Sequence, residues 1–311
     1  MQLTVLGDFN WDIIIRSKKE LLNGGDTFGD VLLAPGGSAA NVAVWAKRCG
    51  LETVFIGKIG SDILGHLAKK DLEAEGVSYN LIESKTENTG TVAVFVNHKA
   101  ERSMISGKGA DFYLLEPELP TTILNKTQHL HLTAWSFFTD PPRSAARHAA
   151  KIAKKAGATI SFDPGSFQMI SEMGVDYFLE LSSDLGFDIV FPNYEEGKTL
   201  SGYTKPESIV KKLADIYPKA LIVLKLDAKG ALVYQKGELI PISAIKNTPV
   251  DATGAGDSFA AAFLSKYLIT NDAKQSAMFA STIASWVVEH IGSRPPIDRK
   301  LSQIITSANT T

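Results

Sequence analysis

Apolar residues in this chain fall into short continuous runs more often than they alternate with polar ones. Leu3–Leu6, Thr159–Phe162 and Ile189–Phe191 show the pattern, and Ala220–Leu224 adds a fourth run. Continuous hydrophobicity over so few residues predicts strands covered on both faces, as in buried parallel sheets. Between the runs the period lengthens to that of helices. Ser144–Lys155 is helical and stops before Gly157, Ser208–Ile216 precedes the fourth run, and the alanine-rich Ala273–Glu289 can cover a sheet face. Strands alternating with helices predict an α/β fold around a central, mostly parallel sheet. Open sheets of that kind bind ligands beyond the C-terminal ends of their strands.

Two regions break the rhythm. Residues 12–34 hold Ile13-Ile14-Ile15 and Val31-Leu32-Leu33 on either side of the turn-rich Asn23-Gly24-Gly25-Asp26. Residues 89–106 hold Thr91–Val96, a turn at His98-Lys99-Ala100-Glu101, and a return at Ser103–Ile105. Both read as antiparallel strand pairs inserted into the α/β frame. They form either a small lid over a ligand or an extension of the main sheet. The lid is the preferred reading, built from residues 12–34 and 89–110, within a single domain spanning residues 1–311. No internal repeat, low-complexity tract or proline-rich linker divides the chain.

Composition narrows the functional classes. A chain of 311 residues buries an ample core, and a net charge of −2 offers no basic surplus for nucleic acid. The pairs Lys69-Lys70, Lys154-Lys155 and Lys211-Lys212 lie in helical stretches and read as solvated faces. A single cysteine, Cys49, excludes an intramolecular disulfide and a multi-cysteine zinc site. No apolar run reaches the ~18 residues that would span a bilayer. The start, MQLTVLGDFNWD, passes directly into a strand pattern without a basic leader and apolar signal core. A cytoplasmic protein without membrane or nucleic-acid partners is the expectation.

Chemistry concentrates in two glycine motifs. Asp251-Ala252-Thr253-Gly254-Ala255-Gly256-Asp257 precedes the helical stretch Ser258–Leu268. Small residues ahead of a helix leave backbone N–H groups unobstructed, and the helix start adds partial positive charge. Gly254, Ala255, Gly256 and the Asp257 amide thus suit an anion hole for a transferring phosphoryl group. A carboxylate beside such a hole needs a reason. Asp257 is either a helix N-cap or a base for an attacking hydroxyl. The second motif, Pro35-Gly36-Gly37-Ser38-Ala39-Ala40-Asn41, opens the helical stretch Val42–Cys49. Its glycines admit a polar ligand to the backbone. Asn41 either starts the helix or offers donor and acceptor to a sugar hydroxyl. No GxxxxGK[ST] motif is present, and no Gly-x-Gly-x-x-Gly follows the first strand, which argues against a Walker-type NTPase and an NAD-dependent oxidoreductase.

Together the two motifs resemble the signatures of the ribokinase-like (PfkB) family of carbohydrate kinases. Gly36-Gly37-Ser38-Ala39-Ala40-Asn41-Val42-Ala43 with Gly50 and Gly60 meets the N-terminal signature. Asp251 and Gly254-Ala255-Gly256-Asp257 meet the C-terminal one, with Ala252 as the departure. Further matches are Gly7-Asp8-Phe9-Asn10-Trp11-Asp12, Pro192-Asn193-Tyr194-Glu195-Glu196 and Lys225-Leu226-Asp227-Ala228-Lys229-Gly230, where Asp227 replaces a usual glycine.

The resemblance implies a three-layer α/β/α fold with a β lid and transfer of phosphate from ATP to a small sugar. It implies Asp257 as base, with Asn10, Asp12, Gly36, Gly37 and Asn41 on the acceptor. Lys225, Asp227, Gly230, Gly254 and Gly256 would lie on ATP. Asn193 and Glu196 would organise Mg²⁺ largely through water, and Asp163 would lie near the same region or simply form a turn before Pro164. Asp251 and Gly292 match two positions of a K⁺ site, although Pro296 stands where a serine often contributes. The acceptor is a pentose, hexose or keto-deoxy sugar acid, the last needing a cation such as Arg102 or Lys108. A nucleoside is the alternative within the family, and a catalytically silent sugar-binding or regulatory protein the alternative outside it. Exposed lid strands would allow a homodimer.

Overall fold

The computed structural model of the chain describes residues 2–17, 19–96 and 102–309. The turn expected at His98–Glu101 lies outside the described residues. The first half of the chain supplies β1 (Gln2–Leu6), β2 (Asn10–Ser17), β3 (Gly29–Gly36), α1 (Ser38–Arg48), β4 (Glu52–Gly60), α2 (Ile63–Ala74), β5 (Ser78–Ser84), β6 (Gly90–Val96) and β7 (Arg102–Ser106). The middle supplies α3 (Thr121–Leu124), β8 (His129–Thr133), α4 (Pro142–Lys155), β9 (Thr159–Asp163), α5 (Phe167–Met173), α6 (Val175–Ser183) and β10 (Ile189–Val190). The last part supplies α7 (Tyr194–Ser201), α8 (Pro206–Ile216), β11 (Leu221–Lys225), β12 (Ala231–Gln235), β13 (Glu238–Ile242), α9 (Ala255–Thr270), α10 (Ala273–Val288) and α11 (Arg299–Asn309).

Nine strands form the main sheet in the order β13-β12-β11-β10-β9-β8-β1-β4-β5. From β11 to β5 all neighbours run parallel, and β12 and β13 continue as antiparallel strands. The strand period of two distributes side chains to two faces. In β11, Leu221 and Val223 enter one core while Ile222 and Leu224 enter the other. The first core is closed by α1, α2, α9, α10 and α11, the second by α3 to α8. Residues Ser258–Ser265 of α9 are all buried, so this helix is apolar on every side, as a helix inside a large core must be. The three-layer α/β/α expectation holds.

The four-stranded second sheet runs β3-β2-β6-β7. The two antiparallel pairs read from sequence are joined into one sheet by a parallel pairing of β2 with β6. Its strands start at Asn10 and Gly90 and end at Gly36 and Ser106, so the first pair is longer and the second shorter than the expected lid. Helix α2 anchors both pairs. Its N-cap Asp62 accepts from Thr89 N at 2.7 Å and Thr89 Oγ1 at 2.8 Å, ahead of β6. The carbonyl of Leu64 accepts from Trp11 Nε1 of β2 at 3.0 Å.

Candidate active site

The ends of β1, β9, β10 and β11 and the starts of α1, α7 and α9 meet at one edge of the main sheet, where parallel α/β sheets hold ligands. Asp257 is the third residue of α9, whose N-cap is Gly254. The cap reading of Asp257 is therefore excluded, and its carboxylate is available for another use. Its Oδ2 accepts from Asn41 Nδ2 at 2.8 Å. Asn41 likewise does not start its helix. Gly37 caps α1, and the Asn41 N–H already sits in the first turn, donating to Gly37 O at 2.8 Å.

Gly254 occupies the left-handed region, with φ 74°, and a Cβ there would lie 2.7 Å from Ser293 Cα. Only glycine fits, which turns the chain sharply into a sixteen-residue helix. The first-turn N–H groups of that helix have no intrahelical acceptor. Lys225 Nζ lies 3.3 Å from where a Cβ on Gly256 would be, so an ammonium stands beside the same N–H groups. Backbone donors, helix dipole and lysine together favour an anion here.

Around that pole the carboxylates outnumber the cations. Lys225 Nζ donates to Asp163 Oδ2 at 2.6 Å, and Asp163 Oδ1 accepts from Gly165 N at 3.1 Å, so Asp163 both forms the turn and pairs the lysine. Burial alone would lower the Lys225 pKa, but Asp163, Glu196 and Asp257 raise it, and it remains charged. Burial, and then Asp163, push Glu196 up to about 8. Burial is also the main cause raising Asp257 to about 7, opposed by the Asn41 hydrogen bond and Lys225, and reinforced by Asp163 and Asp8. Three carboxylates thus share one ammonium, a charge deficit that a divalent cation would relieve.

Asn193 and Glu196 form a reciprocal capping box at α7. Asn193 N and Nδ2 donate to Glu196 Oε2 and Oε1 at 2.8 and 2.7 Å, and Glu196 N donates to Asn193 Oδ1 at 2.9 Å. With its oxygens so engaged, Glu196 suits a Mg²⁺ ion held through water and phosphate oxygens, its common mode with nucleotides. Among the described residues no group of three His, Cys, Asp or Glu side chains is arranged to hold a metal directly.

On the acceptor side, a Cβ on Gly36 would lie 2.7 Å from Asn10 Oδ1 and from both Asp12 carboxylate oxygens. The three residues therefore converge, and the buried Asn10 Oδ1 has no hydrogen-bond partner among the described residues. Gly37, at φ 90°, brings the backbone within 2.6 Å of Asp8 O, measured from its would-be Cβ.

In the nucleotide-side loop, Asp227 has φ 51° and Gly230 φ 91°. The left-handed φ explains why glycine is usual at the first position, and aspartate is among the few side chains that tolerate it. Asp251 and Gly292 are brought together, but as donor and acceptor: Gly292 N donates to Asp251 Oδ2 at 3.0 Å. Asp251 Oδ1 accepts from Thr253 N and Oγ1 at 3.0 and 2.6 Å, and Arg16 Nη2 lies 3.9 Å from Oδ2. These contacts fix the Asp251 carboxylate in the turn before α9, beside Gly292.

Three residues without a role in the sequence reading belong to the site. Asp8 Oδ2 and Oδ1 accept from Ser38 N and Ala39 N at 2.8 and 3.1 Å, fixing the glycine loop at the start of α1. Asp111 lies against Gly90 and Gly109, and burial, then Asp8, raise it to about 7. Arg294 donates to Asn41, Asp71 and Gly36. Asp8 stands inside the Gly7–Asp12 motif and was findable there. Arg294 lies in the turn-like Gly-Ser-Arg-Pro-Pro, with no local sign of a partner 253 residues away.

Comparison with known proteins places nearly the whole chain in one family. The family model for pfkB family carbohydrate kinases matches residues 2–300. A fructokinase of Escherichia coli is 31% identical over 84% of this chain and 82% of its own. A nucleoside kinase of Methanothermobacter thermautotrophicus is 30% identical over 84% and 81%. Among solved structures, an E. coli protein assigned as ribokinase II, in complex with ATP and Mg²⁺, superposes with a TM-score of 0.85 at 25% identity, covering 100% of this chain and 99% of that one. The chain belongs to the pfkB carbohydrate kinase family and is an ATP-dependent kinase.

Proposed function

We propose that the enzyme transfers the γ-phosphoryl group of ATP to a hydroxyl of a small neutral sugar, a pentose or hexose. The observation that carries this reading is Asp257, a carboxylate with its pKa near neutrality, held by Asn41 beside the anion-binding start of α9. The acceptor hydroxyl gives its proton to Asp257 as its oxygen bonds to the γ-phosphorus, and the bond to the β–γ bridging oxygen breaks to release ADP. The Gly254–Asp257 amides and Lys225 face the charge on the transferring group. Mg²⁺, organised through water by Asn193 and Glu196, would neutralise charge on the ATP phosphates. Asn10, Asp12, Gly36 and Gly37 orient the acceptor, and Asp227 and Gly230 border the nucleotide. A K⁺ ion beside Asp251 and Gly292, which lie together, would be an addition to this site, checked by comparing turnover in KCl and in tetramethylammonium chloride.

A neutral acceptor is supported by the surrounding charge. Asp8, Asp12, Asp111 and Asp257 all lie on this side, while Arg294 is already engaged by Asp71. Lys108, the described candidate for binding a sugar acid, is exposed. The nucleoside kinase relative supports a nucleoside as the second reading. The assembly of Asp257, Lys225 and Glu196 argues against a silent sugar-binding or regulatory protein. A phosphoryl donor of this kind suits a cytoplasmic enzyme. ADP release with D-ribose, D-fructose, adenosine and 2-keto-3-deoxy-D-gluconate, with and without Mg²⁺, separates the readings. No turnover with any acceptor would refute the kinase assignment.

The lid sheet exposes Val31 at 66%, Leu33 at 50%, Met104 at 62% and Ile105 at 66%. Apolar side chains on an open sheet support a second copy of the chain as partner, joined through the lids.

A further inference from the structure

Resting on the kinase reading, we infer that Arg294 is a positioning residue that fixes the orientation of Asn41 and, through it, of the base Asp257. Its side chain is 1% exposed. Nε donates to Asn41 Oδ1 at 2.7 Å, Nη1 to Asp71 Oδ2 at 2.6 Å and Nη2 to the carbonyl of Gly36 at 2.9 Å. The guanidinium carbon lies 5.4 Å from the centre of the Phe9 ring. The planar fork is therefore held on three sides and over one face, and its donors keep a fixed relation to one another.

The chemistry of the fork settles which way Asn41 points. A carboxamide can be turned by half a rotation, exchanging oxygen for NH₂. Arginine carries donors only, so the Asn41 oxygen must face Nε and the NH₂ must face Asp257. The opposite orientation would set two donors against each other and an oxygen against the Asp257 carboxylate. Arg294 thereby selects the rotamer in which the base receives a hydrogen bond, and it also holds Gly36 on the acceptor side.

The segment carrying Arg294 is itself fixed. Trp45 Nε1 donates to Ser293 O at 2.9 Å, Ser293 Oγ donates to Pro35 O at 3.1 Å, and Gly292 N is held by Asp251. Asp71, the counter-ion, lies on α2, the helix that also anchors β2 and the start of β6. The other charges facing Arg294 are Glu75, Arg48 and Asp12, and those facing Asp257 are Asp163, Lys225 and Asp8.

The test uses Arg294→Lys, which keeps a cation for Asp71 but cannot serve all three acceptors, with Asp71→Asn as a milder second variant that leaves the arginine in place. Folding is checked by thermal unfolding, and turnover is measured with the acceptor panel above. For Arg294→Lys the expected result is a kcat lower by about 10- to 100-fold with the KM for MgATP unchanged, since small misplacements at a reacting centre cost rates of that order. The acid limb of kcat/KM should move to higher pH, because an Asn41 donor lost from Asp257 no longer favours its ionised form. Asp71→Asn should show a smaller fall in the same parameter. A crystal structure of Arg294→Lys gives a readout independent of turnover: Asn41 displaced from Asp257 supports the inference. Asn41 unmoved, or kcat unchanged in a folded variant, overturns it. If the wild-type protein turns over no acceptor, the kinase reading falls, and the position of Asn41 in the variant still decides the role of Arg294.

Discussion

Asn41 Nδ2 and Asp257 Oδ2 lie 2.8 Å apart, across 216 residues of sequence. The contact joins α1, which follows the glycine loop on the acceptor side, to α9, which carries the anion-binding turn. It also supplies the main favourable influence on a carboxylate that burial pushes toward its neutral form. Holding the base near neutrality matches its proton affinity to the task, since a weaker base would accept the hydroxyl proton less readily.

Asp257→Asn should lower kcat by roughly 10² to 10⁴ while leaving the KM for MgATP little changed. Steady-state ADP release measures both. Turnover near the wild-type rate would remove Asp257 as the base.

The same group predicts two opposite pH trends. Catalysis needs the ionised form, so kcat/KM should fall as pH drops below about 7. Stability should go the other way. The folded-state pKa of Asp257 and of Glu196 lies above the usual carboxylate value, so between about 4 and 8 the folded protein binds more protons than the unfolded one. Their contribution therefore weakens stability as pH rises through that window. Asp257→Asn should raise the unfolding temperature more at pH 8 than at pH 5. Equal shifts at both values would contradict the assignment.

Lys225→Met strands Asp163, Glu196 and Asp257 without their ammonium. Removing one partner of a largely buried pair leaves an uncompensated charge, and a loss of about 3 kcal/mol is expected. Denaturant unfolding would show it, and the KM for MgATP should rise at least about tenfold, equivalent to ~1.4 kcal/mol. Lowering the pH toward 5 should recover part of the stability, because the stranded carboxylates can then take up protons.

Two glycine substitutions two residues apart should separate backbone from electrostatics. Gly254→Ala forces a Cβ against Ser293 at a left-handed φ, so it should destabilise by more than about 1 kcal/mol and abolish most turnover. Gly256→Ala meets only the end of the Lys225 side chain, so the fold should survive while the lysine moves and kcat falls. Circular dichroism melts beside ADP release distinguish the two. Equal stability of the variants would count against the reading of Gly254.

The dimer proposal is checked by sedimentation. Leu33→Asp with Ile105→Asp should reduce the apparent mass by half at micromolar concentration if the lids pair. A wild-type protein that sediments as a monomer rejects it.

The α/β frame was legible in the apolar runs of β1, β9, β10 and β11 and the helical stretches between them. Gly36–Asn41, Asn193–Glu196 and Gly254–Asp257 stood out through their resemblance to family signatures, because each short motif alone left a helix-start reading open beside the chemical one. Of the parallel strands, β4, β5 and β8 were missed for a physical reason. In β8 the buried positions include His129 and His131, which look polar in a hydropathy pattern. His129 bonds Ser161 and Thr159 through its two ring nitrogens and His131 bonds Ser161 through Nδ1, and burial pushes both down to about 3, so they stay neutral. In β4 the interior Lys58 hides the run, its ammonium paired with Glu118 at 2.6 Å. Arg294 was invisible because its meaning lies entirely in three partners on distant segments.

The hydrogen-bonded series Asp257, Asn41, Arg294 has a consequence for synthesis. A chain still emerging from the ribosome possesses the glycine loop early and the base late, but it cannot align them until residue 294 is free to fold back onto α1 and α2. Alignment of the base is therefore a property of the folded chain as a whole, since its members come from segments 216 and 253 residues apart.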